Sequence, residues 1–253
     1  MEKKIIFAVS LGPGGSDLIT PRALDILEKS DTVAGYINYI RLFPELFKNK
    51  KIISNGMRGE IERCEQALKA ALEGEVVSVI SSGDAGVYAM AGLLMELTER
   101  DEFSEIEVEV VPGITAASTA ASILGAPLMN DFAVISLSDL MTPQEVIIHR
   151  IQKTAEAGFV CAVYNPASRR RQSLIKVCIE TFMKHYGPDT YVGIVKNAAR
   201  ENQESLVSTL GEFPYDLIDM NTILIIGNRQ TVFRNKKMYT LRGYSEKYGK
   251  KEN

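Results

Sequence analysis

The run Val76-Val77-Ser78-Val79-Ile80, followed at once by Ser81-Ser82-Gly83-Asp84-Ala85-Gly86-Val87-Tyr88, constrains the fold of this chain more than any other stretch. A β-branched apolar run without polar alternation has the pattern of a strand covered on both faces, as in a parallel sheet. Tyr88 to Leu97 is apolar nearly all round and predicts a buried helix. A loop of small residues therefore stands where a buried strand hands over to a helix. In open α/β sheets ligands bind at that carboxyl edge. Gly83 and Gly86 would let backbone approach a ligand closely. Asp84 is placed to cap the helix start or to accept hydrogen bonds from ligand hydroxyls. A tight Gly-Asp turn with a capping carboxylate accounts for the same residues.

The same alternation of strand, loop and helix runs along the chain. Lys4 to Ser10 predicts a first strand, followed by Leu11-Gly12-Pro13-Gly14-Gly15-Ser16-Asp17. Gly12 and Gly14 have the spacing of a dinucleotide fingerprint, but Asp17 stands where its third glycine belongs, and no Walker A Gly-Lys-Ser/Thr is present. Thr20-Pro21 opens a helix whose buried face is expected to be Ala23, Leu24, Ile26 and Leu27. Thr32 to Gly35 predicts a strand and Tyr36 to Ile40 a short helix. After Gly56-Met57-Arg58-Gly59, an amphipathic helix is expected to bury Ile61, Cys64, Leu68, Ala71 and Leu72. Ile106 to Val111 is a further strand, ending at Pro112-Gly113-Ile114-Thr115-Ala116. The helix from Thr115 has a face of Ala, Ser and Thr, which fits close approach of a ligand or plain helix packing.

Gly125-Ala126-Pro127 is the expected hinge, dividing the chain into lobes 1–125 and 126–253. Beyond it, Phe132 to Leu137 predicts a strand. Thr142-Pro143-Gln144-Glu145 reads as a capping box with Pro at the first helical position, opening a helix to about Ala157. Phe159 to Tyr164 is a strand leading into Asn165-Pro166-Ala167-Ser168-Arg169-Arg170-Arg171, and Leu174, Cys178, Phe182 and Met183 mark the next helix. Tyr191 to Lys196, Leu206 to Ser208 and Thr222 to Ile226 are further strands, and the charged tail beyond Gly243 is expected to fray. Alternating strands and helices in two halves give an α/β class with two lobes.

Composition excludes several classes. A net charge of −3 over 253 residues, without a long single-sign run, argues against nucleic acid as partner. Three scattered cysteines without a CxxC argue for a reducing, cytoplasmic setting and against a zinc site. The two histidines, His149 and His185, share no ligand spacing and read as surface or packing residues. Val110 to Asn130 carries no charge, but Pro112, Gly113 and Pro127 break it, so no membrane span is expected.

Four loops at strand ends then stand out together: Gly12-Pro13-Gly14, Ser82 to Tyr88, Val111 to Ala116, and Tyr164-Asn165-Pro166. In order and spacing, over nearly the whole chain, they resemble the tetrapyrrole methylase family, S-adenosylmethionine-dependent enzymes of corrin and sirohaem synthesis. Ser81 to Gly92, Ile135 to Pro143 and Val163 to Ser168 further resemble the branch that methylates C17 of a corrin precursor, precorrin-3B or its cobalt form, and contracts the ring. Ala85 departs from the commoner Gly-Asp-Pro form, and Asn165 from the Met of other branches.

The resemblance implies a two-lobed fold unlike the usual Rossmann methyltransferase, a homodimer, and S-adenosylmethionine held between the lobes. It implies a cofactor pocket of Pro13, Ser82, Gly83, Asp84, Val87, Tyr88, Thr115 and Ala116, closed by Ala198, Asn165 and Thr222. The substrate it implies is a macrocycle ringed by acetate and propionate groups, any cobalt arriving inside it. Arginine forks suit carboxylates, and Arg169, Arg170, Arg171 and Arg200 follow strand ends; a solvated charge run at a helix start is the competing reading. The substrate carbon is itself the nucleophile, so no protein nucleophile is required. Asp84 is assigned to positioning, with general base as the lesser option; Ser16, Asp17 and Ser138 are the other candidates for proton transfer. Another methylase of the fold, or a cofactor-binding protein without catalysis, would share the loops.

Overall fold

The computed structural model describes residues 4–56, 58–167 and 173–249, and the chain divides into two compact units, Met1–Ala116 and Ala117–Asn253. In the first, β1 (Lys4–Ser10) leads through α1 (Pro21–Lys29) to β2 (Thr32–Tyr36) and α2 (Ile37–Leu42). β3 (Lys51–Asn55), α3 (Glu60–Leu72), β4 (Val77–Ser81), α4 (Met90–Thr98) and β5 (Ile106–Val111) follow. The strands form one sheet, parallel throughout, in the order β3-β2-β4-β1-β5.

Both faces of this sheet are covered. Val9, Ile80 and Val111 pack with Ala23 and Leu27 of α1, whereas Ile6, Ala8, Val77 and Val79 pack with Cys64 and Leu68 of α3 and Leu94 and Leu97 of α4. That is why the Val76–Ile80 run lacks alternation. The chain leaves β1 through α1 on one face toward β2, and leaves β4 through α4 on the other face toward β5. The carboxyl ends of β1 and β4 therefore flank the switch point of the topology, where α/β sheets open a ligand crevice.

Thr20 caps α1 as expected, its hydroxyl accepting from Ala23 N at 3.2 Å with Pro21 at the helix start. Leu24 does not share the buried stripe of Ala23, Ile26 and Leu27, and is 38% exposed. On α3 the stripe is centred on Ala67, so Ile61 falls off its edge into solvent and Arg63 falls within it.

The second unit takes α5 (Ala116–Leu124), β6 (Gly125–Ala126), β7 (Phe132–Ser136), α6 (Gln144–Ala157), β8 (Val160–Tyr164) and α7 (Ser173–Tyr186). Then come β9 (Tyr191–Lys196), β10 (Glu204–Thr209), β11 (Thr222–Ile226), β12 (Thr231–Arg234), β13 (Lys237–Thr240) and α8 (Tyr244–Tyr248). Its main sheet, β10-β9-β11-β8-β7, is mixed: β7 and β8 run parallel and the other pairs antiparallel. α6 and α7 cover one face through Ile147, Ile151, Ile175 and Phe182. On the other face a Cβ on Gly193 would stand 2.3 Å from Leu124, so α5 lies directly on the strand.

Several expectations are corrected here. Gly125-Ala126, read as a hinge, is strand β6, paired to Met238 and Tyr239 of β13, and residues 117–125 group with the second unit. The capping box at Thr142 does not form: Pro143 is the N-cap in an extended conformation, and no side chain caps the helix. The tail beyond Gly243 carries α8 rather than fraying from its start.

The thiols of Cys64, Cys161 and Cys178 are free and buried. Burial pushes Cys64 up to about 11 and Cys178 up to about 12, and pushes Cys161 well above the ordinary thiol range. The unfolded chain ionises these groups first, near pH 8.5, so their stabilisation is complete below that pH and is lost as pH rises toward 11–12. Each thiol contributes up to about 1.4 kcal/mol per pH unit in that window. The melting temperature is expected to fall more steeply between pH 9 and 11 in the native chain than in a Cys161→Ala/Cys178→Ala variant, each scaled to its own value at pH 7. Parallel curves would refute this account of the alkaline limb.

Candidate functional site

At the switch point the loops leaving β1 and β4 are tied to one another by main chain. Leu11 N donates to Ser81 O at 2.8 Å, Gly12 N to Gly83 O at 3.1 Å and Gly83 N to Gly12 O at 2.6 Å. Gly12 needs its φ of 68°, and a Cβ there would meet Leu18 O at 2.6 Å.

Two side chains complete the tie. Ser10, fully buried at the end of β1, donates to Val111 O at 2.6 Å and accepts from Ala85 N at 2.8 Å. Asp84 accepts from Gly86 N at 2.8 Å through one oxygen and from Gly113 N at 2.9 Å through the other. Asp84 therefore caps no helix: α4 starts at Met90, with Ala89 as its N-cap. Its carboxylate clamps the β4 loop to the β5 loop. Ala85, in place of a proline, is not without consequence, because its N–H is the donor to Ser10.

Among the residues expected to bind a cofactor, Pro13, Ser82, Gly83, Asp84, Val87, Tyr88 and Thr115 fall on these three neighbouring loops, and Ala116 opens α5 directly after the third. Pro13 and Gly83 are buried, whereas Tyr88 is 56% exposed and holds the left-handed φ of 54°. That conformation costs a tyrosine on the order of 1 kcal/mol or more. Gly83 has a φ of 73°, and the nearest atoms to a Cβ built on it are Ala116 N at 3.9 Å and Thr115 Cα at 4.0 Å. Those are ordinary van der Waals distances, so the β4 loop lies against Thr115-Ala116 with bare backbone at Gly83.

In the second unit Asn165, Ala198 and Thr222 lie at one edge of the main sheet. Asn165 follows β8, Ala198 follows β9, and Thr222 opens β11 opposite Lys196. Asn165 has a φ of 51° and donates from Nδ2 to Ser136 Oγ at 2.9 Å, so its amide ties β8 to β7. Tyr164 OH accepts from Ala117 N at 2.9 Å and holds the first turn of α5. Thr222 is buried, with its hydroxyl exchanging hydrogen bonds of 3.1 Å with Asp219. Burial raises the Asp219 carboxyl, but hydrogen bonds from Lys196, Asn221 N and Thr222 outweigh it and hold the group below the usual carboxylate range. Arg200 is half-buried at the same edge. Arg169, Arg170 and Arg171 lie outside the described residues. Of the further proton-transfer candidates, Ser16 and Asp17 are exposed and Ser138 is half-buried, its N–H donating to Ser136 Oγ at 3.2 Å.

Sequence reasoning missed Ser10 and Arg63. A serine ending an apolar strand and an arginine on a helix both read as ordinary until their depth is known. A cavity of about 380 Å³ in the second unit is lined by Glu156, His185, Tyr186 and Arg229 and contains none of the expected site residues. Among the described residues no cluster of His, Cys, Asp and Glu could hold a metal, and no helix is long and apolar enough to cross a membrane.

Comparison with known proteins gives a consistent result. A protein of Salmonella typhimurium named probable cobalt-factor III C(17)-methyltransferase is 41% identical over 95% of this chain and 100% of its own length. Cobalt-factor III methyltransferase of Priestia megaterium is 44% identical over 96% of this chain, which spans 46% of that longer protein. The crystal structure of the methyltransferase CobJ superposes with a TM-score of 0.88 at 33% identity, over 95% of this chain and 100% of the other. The family model for tetrapyrrole (corrin/porphyrin) methylases matches residues 5–214. With that model spanning most of the chain, this protein belongs to the tetrapyrrole methylases.

Proposed function

We propose that this chain methylates C17 of a corrin precursor during cobalamin synthesis, with cobalt-factor III as the acceptor and S-adenosylmethionine as the donor. The observation that carries this reading is the near full-length identity of 41% to a relative bearing that name. The clamped loops support it, because a one-step methyl transfer depends on holding donor and acceptor in line, an effect that contributes roughly 7–11 kcal/mol in favourable cases.

The residues present fit the donor. With no side chain at Gly83, the β4 loop presents bare backbone beside Thr115-Ala116, and Asp84 fixes the two loops that meet there. Pro13, Ser82, Gly83, Val87, Tyr88, Thr115 and Ala116 would hold the cofactor, and the family resemblance adds Asn165, Ala198 and Thr222 as further candidates. When bound, S-adenosylmethionine supplies an electrophilic methyl on a sulfonium. The chain's own task is to bind, orient and exclude water. Asp84, with each carboxylate oxygen already accepting a backbone N–H, serves as a positioning residue rather than a base. Arg200 and the arginines at 169 and 171 are candidates for the substrate carboxylates. We further assign a homodimer in the cytoplasm, in keeping with the family resemblance and the buried free thiols.

The test is an anaerobic incubation with S-adenosylmethionine, cobalt-factor III and precorrin-3B being offered separately and products read by mass. Gain of one methyl on cobalt-factor III is expected. Methylation of precorrin-3B alone would move the enzyme to the metal-free substrate, and a product from neither would refute the reading.

A further inference from the structure

Arg63 is the only charged side chain that is buried among the described residues, at 3% exposure. It lies in the first turns of α3, facing inward with Cys64 and Ala67. Its Nη1 donates to Oδ1 of Asn55, whose Nδ2 in turn donates to Gly59 O at 2.9 Å. Among the described residues Nη2 meets only the thioether of Met90, at 3.9 Å, and Nε has no partner. No carboxylate among them pairs with it.

A guanidinium stays charged in a protein, so its burial is unfavourable unless an anion faces it. The unused atoms are not scattered. Nε and Nη2 carry the two parallel N–H bonds along one edge of the guanidinium, the fork that grips both oxygens of a carboxylate. The edge left open is therefore the one that matches this anion. Its position is equally specific. Asn55 closes β3 at the carboxyl end of the parallel sheet, and Met90 opens α4 immediately after the Ser82–Tyr88 loop. The side chain against the open edge is a flexible, half-buried methionine, which a ligand can displace.

We propose that Arg63 is a ligand-binding residue that takes a carboxylate through its Nε–Nη2 edge. The inference rests on the proposed methylase reading, in which two ligands carry that group. One is the macrocycle, through its acetate and propionate arms, and the other is the amino-acid end of the methyl donor.

The experiment compares the native chain with Arg63→Met and Arg63→Lys. Three quantities are measured: the ligand-free melting temperature, the affinities for S-adenosylhomocysteine and for methylthioadenosine, which lacks the carboxylate, and the steady-state constants for the methylated ring. Arg63→Met is expected to melt no lower than the native chain, because an apolar side chain of similar reach replaces an uncompensated cation. If the ring supplies the carboxylate, KM for it rises on the order of tenfold or more in both variants with kcat little changed, less in Arg63→Lys, which keeps the charge without the fork. If the donor supplies it, affinity for S-adenosylhomocysteine falls by that factor while methylthioadenosine binds as before. A lowered melting temperature with KM and both affinities within about twofold of native would overturn the proposal and make Arg63 a structural residue. A native chain that methylates neither ring removes the methylase reading and the ring as source together, and the two affinities then decide the donor arm.

Discussion

Gly113→Ala is expected to raise the dissociation constant for S-adenosylhomocysteine by more than about tenfold, or 1.4 kcal/mol, and to lower the melting temperature. A Cβ at this position would stand 2.4 Å from Ser10 Cβ and 2.7 Å from Gly83 O. Neither neighbour is the free end of a flexible side chain. Ser10 is locked between Val111 O and Ala85 N, and Gly83 O already accepts from Gly12 N. The β5 loop must therefore withdraw from the β4 loop, which breaks the bond from Gly113 N to Asp84. Overpacking of this kind costs typically about 1–3 kcal/mol in stability. Its larger effect is on binding, because it separates the two loops that carry Gly83 and Thr115. Calorimetric titration alongside a thermal melt checks both effects. Native affinity together with a native melting temperature would show that the loops do not meet as closely as 2.4 Å implies.

Asp84→Ala is the second large effect, with a different signature. Two backbone N–H groups lose a charged acceptor, and hydrogen bonds to charged groups contribute about 1.5–3 kcal/mol each. The half-exposed setting puts the loss at the low end of that range. Asp84 adds nothing to the apolar core, so the fold is expected to survive while cofactor affinity falls about tenfold. Asp84→Asn retains one acceptor oxygen and should recover part of the loss. It also separates clamp from base: a clamp leaves kcat/KM with an unchanged pH profile in Asp84→Asn, whereas a base removes a titrating limb. Wild-type cofactor affinity in Asp84→Ala would sink the clamp assignment.

What could be read from the sequence follows what each element is made of. β1, β9 and β11 are legible to their first and last residues because their apolar runs are mostly buried, and β5 because Ile106-Glu107-Val108-Glu109 alternates. β3 was missed because Lys51-Ile52-Ile53-Ser54-Asn55 is mostly exposed at the sheet edge and too short to show alternation. The β12–β13 hairpin was missed because its turn, Asn235-Lys236, puts both residues at positive φ, of 52° and 60°, without the Asn-Gly pair that advertises such a turn. At the site, the loops were legible because glycine and proline mark them. The clamp role of Asp84 was not, since its partner Gly113 is remote in sequence and only the sheet order brings them together. Arg63 was hidden by its type: arginine on an amphipathic helix reads as a solvated face, and only the observed stripe shows it turned inward.

The strand order of the first unit also governs how it is born. β1 leaves the ribosome early, yet Lys4 pairs with Ile106 and Ser10 with Ser81. At about 5–20 residues per second, synthesis takes roughly 5–20 s to bring out its last partner. Ile5 to Val9 is an apolar strand with both edges bare until β4 emerges and one edge bare until β5 does, which makes it the segment a holding chaperone would meet. β2 and β3 are neighbours in sequence and can pair first, with β4 joining them. The loops after Ser10, Ser81 and Val111 come together only when β1 is paired with both β4 and β5. The nascent chain thus lacks the complete carboxyl edge until its fifth strand has emerged, and a unit that stalls one strand short has most of its sheet but not the three loops together.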